Sequence, residues 1–433
     1  MKMNRRRFIL ASAIAGGGVL IGYSATRPSR HRRANEELVQ GPERFISSFI
    51  KIDPSNDITI YIPHSEMGQG IHTSLSMMAA DELDAAWEDV IIEQAPAIDL
   101  FANGDLVKGF AGEFGVPSFL MGLVNVSSFS VAELMNLQTT GGSTSIRYTG
   151  EYAMRTAGAA AREMLIAAAA NRWSVSSTEL TTELSYVQHN ASGRSLSFGE
   201  LAADAALLEP PENPSLKDRS QFNIMGRAIS RNDIPAKVDG SAMYGLDAHS
   251  DDMLYAAIKL TPVFGTKLLS VDASEALAQR GVKRVIELED SVAVVADNYW
   301  RAKKALELVN ATFEESEFDK VSSTDIAARF DRELAESNGS TDKEVGDAEA
   351  ALEESADVIE ASYRVPYLAH AAMEPMNCTV HIQGDHADMW TSTQDALGMR
   401  GRVASVAGLP EENVTFHQTY CGGGYGRRLP FNW

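Results

Sequence analysis

Cys421-Gly422-Gly423-Gly424-Tyr425-Gly426-Arg427-Arg428 decides the reading of this chain. Three consecutive glycines, a tyrosine and a further glycine leave a backbone with few Cβ atoms. It can take φ > 0 and aim several N–H groups at one ligand. The paired arginines add bidentate donors suited to phosphate. The run lacks the Lys-Ser/Thr ending of a P-loop, which disfavours a nucleoside triphosphatase. A strand over 414–418 and a helix over 397–407 are expected before it, and a strand from Asp388 that ends in Thr391-Ser392-Thr393-Gln394 before those.

The 433 residues suffice for two or three domains with cores of their own. A net charge of −21 argues against nucleic acid and against an anionic membrane surface as partners. The two cysteines, Cys378 and Cys421, make no disulfide scaffold. With no CxxC, the chain carries neither a thiolate zinc site nor an iron–sulfur cluster of its own.

The N-terminus places Arg5-Arg6-Arg7 before Phe8 and a short Gly/Ala-rich apolar run to Tyr23. That is the layout of a secretory signal, too short and glycine-rich for a comfortable transmembrane helix. Adjacent arginines directly before the apolar run resemble the twin-arginine export signal. Ser24-Ala25-Thr26 is a fair cleavage site, and 27–33 reads as a basic linker.

Strands are expected over 45–52 and 58–62, joined by the turn residues Asp53-Pro54-Ser55-Asn56-Asp57. A second glycine loop, Glu66-Met67-Gly68-Gln69-Gly70, then leads to Thr73, which could cap a helix to Leu83. A strand follows at 90–93, and 96–137 reads as an irregular surface excursion. A third loop, Gly141-Gly142-Ser143-Thr144-Ser145, precedes a helix over 151–173, the recipe for an anion site at a helix N-terminus. Beyond a strand at 184–188 and a helix over 198–208, Glu209-Pro210-Pro211 marks a boundary. Strands at 253–260, 282–288 and 291–296 with helices at 273–279 and 299–309 suggest a compact α+β domain. Residues 314–356 read as an acidic helical connector, and a β-rich block is expected from Val358.

Each glycine loop is weak by itself. GQG is a short turn in most proteins, and GGSTS could be a flexible loop. No strand–GxGxxG–helix fingerprint with a later acidic residue is present, nor a Gly-x-Ser-x-Gly elbow. His370 and Glu374 could share a helical face and hold a metal or lie in a loop before Pro375; no metal ligand is assigned.

Taken together, the loops and their surroundings resemble the molybdenum-cofactor subunit of the xanthine dehydrogenase and aldehyde oxidase family, in the exported branch typified by isoquinoline 1-oxidoreductase beta subunits. The carriers are the twin arginines, Glu66 to Gly70 with Thr73, Ala80-Asp81-Glu82-Leu83-Asp84, Gly141 to Ser145, and Arg155 to Arg162. Further on they are Pro235 to Gly240, Met373-Glu374-Pro375, Thr393-Gln394 and Gly422 to Arg428.

The resemblance implies a molybdopterin, usually extended by a cytosine nucleotide in bacteria, held through glycine-rich backbone. Gly68, Gln69 and Gly70 would contact the pterin, with Thr73 supporting their loop. Gly141, Gly142, Ser143, Thr144 and Ser145 would hold phosphate. Gln394 would hydrogen-bond an oxygen ligand of molybdenum, and Gly423, Gly424, Tyr425, Gly426 and Arg427 would lie beside the metal centre. Molybdenum is held by the pterin, so protein cysteine ligands are not required.

The implied fold is α+β: molybdopterin-binding lobes of mixed sheet and helix plus a small α/β hammerhead domain. The expected division is 1–33 signal and linker, 40–208 first lobe, 209–222 linker, 223–313 hammerhead, 314–357 connector and 358–433 the start of a second lobe. The implied protein is an exported hydroxylase, periplasmic or membrane-associated on the periplasmic side. It would oxidise N-heteroaromatic compounds or aldehydes, with water as the oxygen source. Electrons would leave through a small subunit with two [2Fe–2S] clusters, with a c-type cytochrome as a candidate next carrier. Two departures stand out. Tyr425 and Arg427-Arg428 replace the Phe and Gly-Lys of xanthine dehydrogenases. The family's C-terminal general-base glutamate has no match before Trp433, so the catalytic residue is unassigned. A non-catalytic or truncated cofactor-binding or assembly protein is the alternative.

Overall fold

The computed structural model describes residues 29–113, 116–336, 339–341 and 343–429. The expected export signal and its expected cleavage site lie outside them. The fold is of mixed α and β type, with several small sheets. It divides into two compact units, Met1–Ala248 with His370–Trp433, and His249–Ala369. The division falls after the segment 223–248 and after the acidic stretch, rather than at 223 and 313.

Described structure starts with helix α1 (Arg30–Glu37), where a basic linker was expected. The Arg30 guanidinium lies 3.9 Å from the Phe129 ring and donates to the Leu100 carbonyl at 2.7 Å. A charge packed on aromatic faces, which hydrophobic periodicity does not register, thus fixes this helix. A four-stranded sheet follows: β1 (Arg44–Phe45), β2 (Ile50–Ile52), β3 (Ile58–Ile62) and β4 (Val90–Gln94), adjacent in that order. The β2–β3 turn is closed by Asp53, whose carboxylate accepts from the Ser55 N–H, with Asn56 at φ 82°. Helix α2 (Ile71–Leu83) carries the chain back so that β4 runs parallel to β3.

Residues 96–137 are not irregular. They contain α3 (Gly104–Glu113) and α4 (Met121–Leu134), packed together, with Leu106 and Ala132 buried. Their glycines and serines blur the apolar stripe but permit close packing: a Cβ on Gly104 would lie 2.8 Å from the Phe129 Cα. A wide helix of π type then spans Ser145–Met154, and α5 (Arg155–Trp173) begins only after it. Helices α2 and α5 approach so closely that a Cβ on Gly158 would sit 2.3 Å from the Ala79 carbonyl oxygen. Ile50, Ile52, Ile58, Ile60, Leu75, Ala79 and Leu165 form the core of this layer.

The charged residues of 80–84 and 155–162 are structural. Glu82 is buried between Arg155 and Arg162. The Asp81 carboxylate accepts from the backbone N–H groups of Asn223, Ile224 and Met225. These bonds tie 223–225 to α2. A small sheet of β5 (Thr181–Glu183), β6 (Tyr186–His189) and β7 (Arg194–Ser197) leads to α6 (Phe198–Ala205), capped by Ser197 and Glu200. A short helix, α7 (Ile234–Asp239), follows.

The second unit holds β8 (Tyr255–Leu260), β9 (Leu268–Asp272), β10 (Val282–Glu287), β11 (Ser291–Ala296), α8 (Tyr299–Leu306) and β12 (Asn310–Phe313). Strand β11 is central between β10 and β8, and β12 pairs with β9. Val292, Val294, Ala305 and Val309 are the core. Helices α9 (Ser323–Glu336) and α10 (Ala348–Glu354) bury no residue, as expected of the acidic stretch. No strand begins at Val358. The next is β13 (Thr379–Gln383), antiparallel to β14 (His386–Thr391), which α11 (Ala396–Ala407) connects to a parallel β15 (Val414–Gln418).

Candidate functional site

The first loop leaves the end of β3 and turns into α2. Gly68 and Gly70 sit at φ 101° and 77°, where a Cβ would strain the backbone. The buried Glu66 side chain organises the turn. Its Oε1 accepts from the Gly68 and Gly70 N–H groups at 2.9 and 3.0 Å, and its Oε2 from that of His72 at 3.4 Å. The Gly68 and Gly70 amides, expected to face a pterin, therefore point at the chain's own carboxylate. The exposed Gln69 side chain bonds within its own loop, accepting from the Met67 N–H and donating to the Ser65 carbonyl. Thr73, in the first turn of α2, donates to Asn232 Oδ1 at 2.9 Å and accepts from the Asn232 N–H.

The second loop is closed on itself. Gly141 N–H donates to Ser145 Oγ at 2.9 Å, and the Thr144 and Ser145 amides donate to the Gly141 and Gly142 carbonyls. Gly142, at φ 53°, and Ser143 are the residues left exposed. They stand at the head of the π-type helix, not of an α-helix starting at 151 as the spacing suggests.

Thr140 and Gln394 join this loop to the end of β14. Thr140 N–H donates to the Gln394 carbonyl at 2.6 Å, and Gln394 Nε2 donates to the Thr140 carbonyl at 2.8 Å. Ser65 extends the junction: its N–H donates to Thr140 Oγ1 at 2.8 Å and its hydroxyl to the Thr393 carbonyl at 2.6 Å. Cys421 N–H donates to the Glu66 carbonyl at 3.1 Å. The three glycine loops and the Thr393–Gln394 strand end thus meet at one place, within one unit.

The two arginines of the opening motif part company here. Arg428 is fully buried and spends its donors inside the protein. It donates to the Ser392 carbonyl and hydroxyl, the Glu374 carbonyl and carboxylate, and the Gly423 carbonyl. It is a strut, not a phosphate ligand. Glu374 joins in from a loop, accepting from the Gly422 N–H at 2.8 Å, which removes it as a metal ligand paired with His370. Arg427 is half-buried, and its N–H closes a turn onto the Gly424 carbonyl. Gly423 and Gly426 take φ 101° and 82°, and exposed Tyr425 takes φ 49°. Burial pushes the Cys421 thiol up to about 12, which leaves it protonated and unreactive.

Several buried polar atoms around the junction have no partner, among them Gln394 Oε1, Gln418 Oε1 and Thr419 Oγ1. Gln394 Oε1 is buried and accepts no hydrogen bond. It packs against Gly424, where an added Cβ would lie 3.1 Å from it and 2.4 Å from Met67 Sδ. A buried amide oxygen left unsatisfied costs free energy, and a ligand that donates to it recovers that cost.

Residues 331–432 and 15–105 match models of the molybdopterin cofactor-binding domain, one for each end of the chain. Both ends of the chain are therefore similar to molybdopterin cofactor-binding domains. The chain is 30% identical over 423 residues to the beta subunit of isoquinoline 1-oxidoreductase of Brevundimonas diminuta, an alignment covering 88% of this chain and 51% of that protein. It is 27% identical to the membrane-bound aldehyde dehydrogenase (pyrroloquinoline-quinone) of Gluconacetobacter polyoxogenes, over 99% of this chain and 52% of that one. It is 24% identical to a nicotinate dehydrogenase subunit of Pseudomonas putida, over 96% and 32%. The chain therefore spans about half the length, or less, of these curated relatives.

Sequence reasoning missed the parts played by Glu66 and Arg428. A glutamate two and four residues before the glycines of a GxG turn is a readable signal, because its carboxylate can reach both amides. Nothing in the sequence distinguishes Arg427 from Arg428; only the fold sends one inward.

Proposed function

We propose that this chain is the molybdenum-cofactor-binding subunit of an exported molybdenum hydroxylase that oxidises N-heteroaromatic compounds or aldehydes. The observation that carries this reading is the unpartnered Gln394 Oε1 packed against Gly424, where the glycine loops meet. The residues fit an extended anionic pterin. Gln394 Oε1 would accept from a protonated group, exposed Gly142 and Ser143 would hold phosphate, and half-buried Arg427 would lie beside the metal centre. When bound, the cofactor supplies a two-electron acceptor for the substrate, with water as the oxygen source. The chain's own share is to hold, orient and exclude solvent.

Further parts of the reading rest on the family alone: a cytosine-dinucleotide form of the cofactor, a partner with two [2Fe–2S] clusters and a c-type cytochrome beyond it. Export by the twin-arginine route to the periplasm rests on Arg5, Arg6 and the apolar run after them. The test is purification with the products of neighbouring genes. Molybdenum, iron and released cytosine nucleotide are measured, with dye-linked oxidation of isoquinoline and benzaldehyde. Molybdenum near one per chain with turnover of either substrate is expected. Bound molybdopterin without turnover on any partner would favour the cofactor-binding or assembly role. Absence of molybdopterin from chain made in cofactor-competent cells would overturn the reading.

A further inference from the structure

Glu66 sits where a cofactor anion would be expected. The Gly68–Gly70 turn and the first turn of α2 present three N–H groups to one point, and the positive end of a helix favours negative charge there. The Glu66 carboxylate takes all three. It is braced from outside the turn. Arg231 Nη2 donates to Glu66 Oε1 at 3.2 Å, while Nη1 donates to the Gly68 carbonyl at 2.7 Å. Arg231 is held by buried Asp233, which accepts from its Nε at 2.9 Å and also takes the Lys237 ammonium. The turn is thus gripped by its amides from within and by its carbonyl from the 231–237 segment.

We propose that Glu66 is a positioning residue, an internal anion that fills this nest and fixes the Gly68–Gly70 turn before any cofactor arrives, with Arg231 as its brace. The turn then binds no phosphate through the Gly68 and Gly70 amides. It meets the cofactor as a preformed edge at Gln69, and phosphate is left to Gly142 and Ser143. The identity of the ligand rests on the function proposed above; the order of the turn does not.

The experiment uses the full chain from cells unable to make molybdopterin, followed by hydrogen exchange resolved to residues 66–72. In the parent chain the Gly68, Gly70 and His72 amides exchange slowly. Glu66→Ala speeds them by about tenfold or more while the remaining core is unchanged, and added acetate restores the slow exchange, since the amides regain an acceptor. Arg231→Gln gives a smaller acceleration at the same amides. In cofactor-competent cells Glu66→Ala retains several-fold less molybdopterin. Unchanged exchange at 66–72 in Glu66→Ala, or acceleration spread evenly over the core without acetate rescue, overturns the proposal. If Glu66→Ala does not fold, the same comparison is made with Glu66→Gln and Arg231→Gln, where unchanged exchange again overturns it. A parent chain that never takes up molybdopterin but shows this exchange pattern sinks the functional reading and leaves the positioning role standing. Normal molybdopterin loading by Glu66→Ala with an unaltered turn does the reverse.

Discussion

Adjacent residues of one motif have opposite duties, and substitution separates them. Arg428→Met leaves the Glu374 carboxylate buried without its cation, and a loss of about 3–5 kcal/mol in urea denaturation is expected. Arg427→Ala should move stability by no more than about 0.5 kcal/mol, and its effect should appear in cofactor retention instead. A second residue-scale expectation concerns acid. Burial, with His72 beside it, lowers His64 to about 3, so only the unfolded chain takes up a proton as pH falls below its ordinary value of 6.5. Stability is therefore lost between pH 6.5 and about 3, at up to about 1.4 kcal/mol per pH unit. Asp233 acts lower. Burial raises its pKa, but Arg231 and Lys237 more than offset this and hold it at about 2. Its contribution is present above 3.8 and disappears as pH falls through about 2. Denaturation midpoints from pH 8 to 3 should show the His64 limb, and His64→Gln should flatten it. A slope unchanged by that substitution would refute the assignment.

At the scale of elements, the close approach of α2 and α5 gives a sharp contrast between two glycines. Gly158→Ala drives a methyl into the Ala79 carbonyl and should cost about 1–3 kcal/mol, read as a lowered melting temperature. Gly112→Ala on α3 meets no neighbour within 4 Å and should be neutral or stabilising by up to about 1 kcal/mol. Strands with clear alternation and turn residues, such as β2 and β3, were legible in the sequence, as were α2 and the body of α5. The missed elements share a cause. Helix α1 is anchored by an arginine on aromatic rings, and α3 and α4 pack through glycine and serine, so neither shows an apolar period. The π-type start before α5 has no local composition signal; it follows from packing against α2 and α3. The candidate site shows the same limit. Glycine positions were readable because a backbone requirement selects the residue, whereas the partners of Glu66 and Arg428 come from segments far away in sequence.

For the whole molecule, the stretch between α10 and β13 is, among the described residues, a long exposed run open to proteolysis. Ile359, Tyr363, Val365 and Tyr367 there are 95%, 88%, 88% and 72% exposed, with no regular structure. Chymotrypsin at low ratio should cut first at Tyr363, Tyr367 or Leu368, giving one large fragment and one of roughly 65 to 70 residues, identifiable by mass; first cuts within α2 or α5 would contradict this. The separation between bonded partners has a different consequence, for timing. Ser65 and Thr393 are 328 residues apart, and Gln394 reaches back 254 to Thr140. At about 5–20 residues per second, Thr393 is made roughly 16 to 66 s after Ser65. The isoleucine-rich sheet and α2 can consolidate in that interval, but the junction cannot close. Loading of a cofactor is thereby postponed until synthesis has passed Arg428. Through the wait, the amides at the head of α2 already have Glu66 as a tenant and are shielded from stray anions in the cytoplasm.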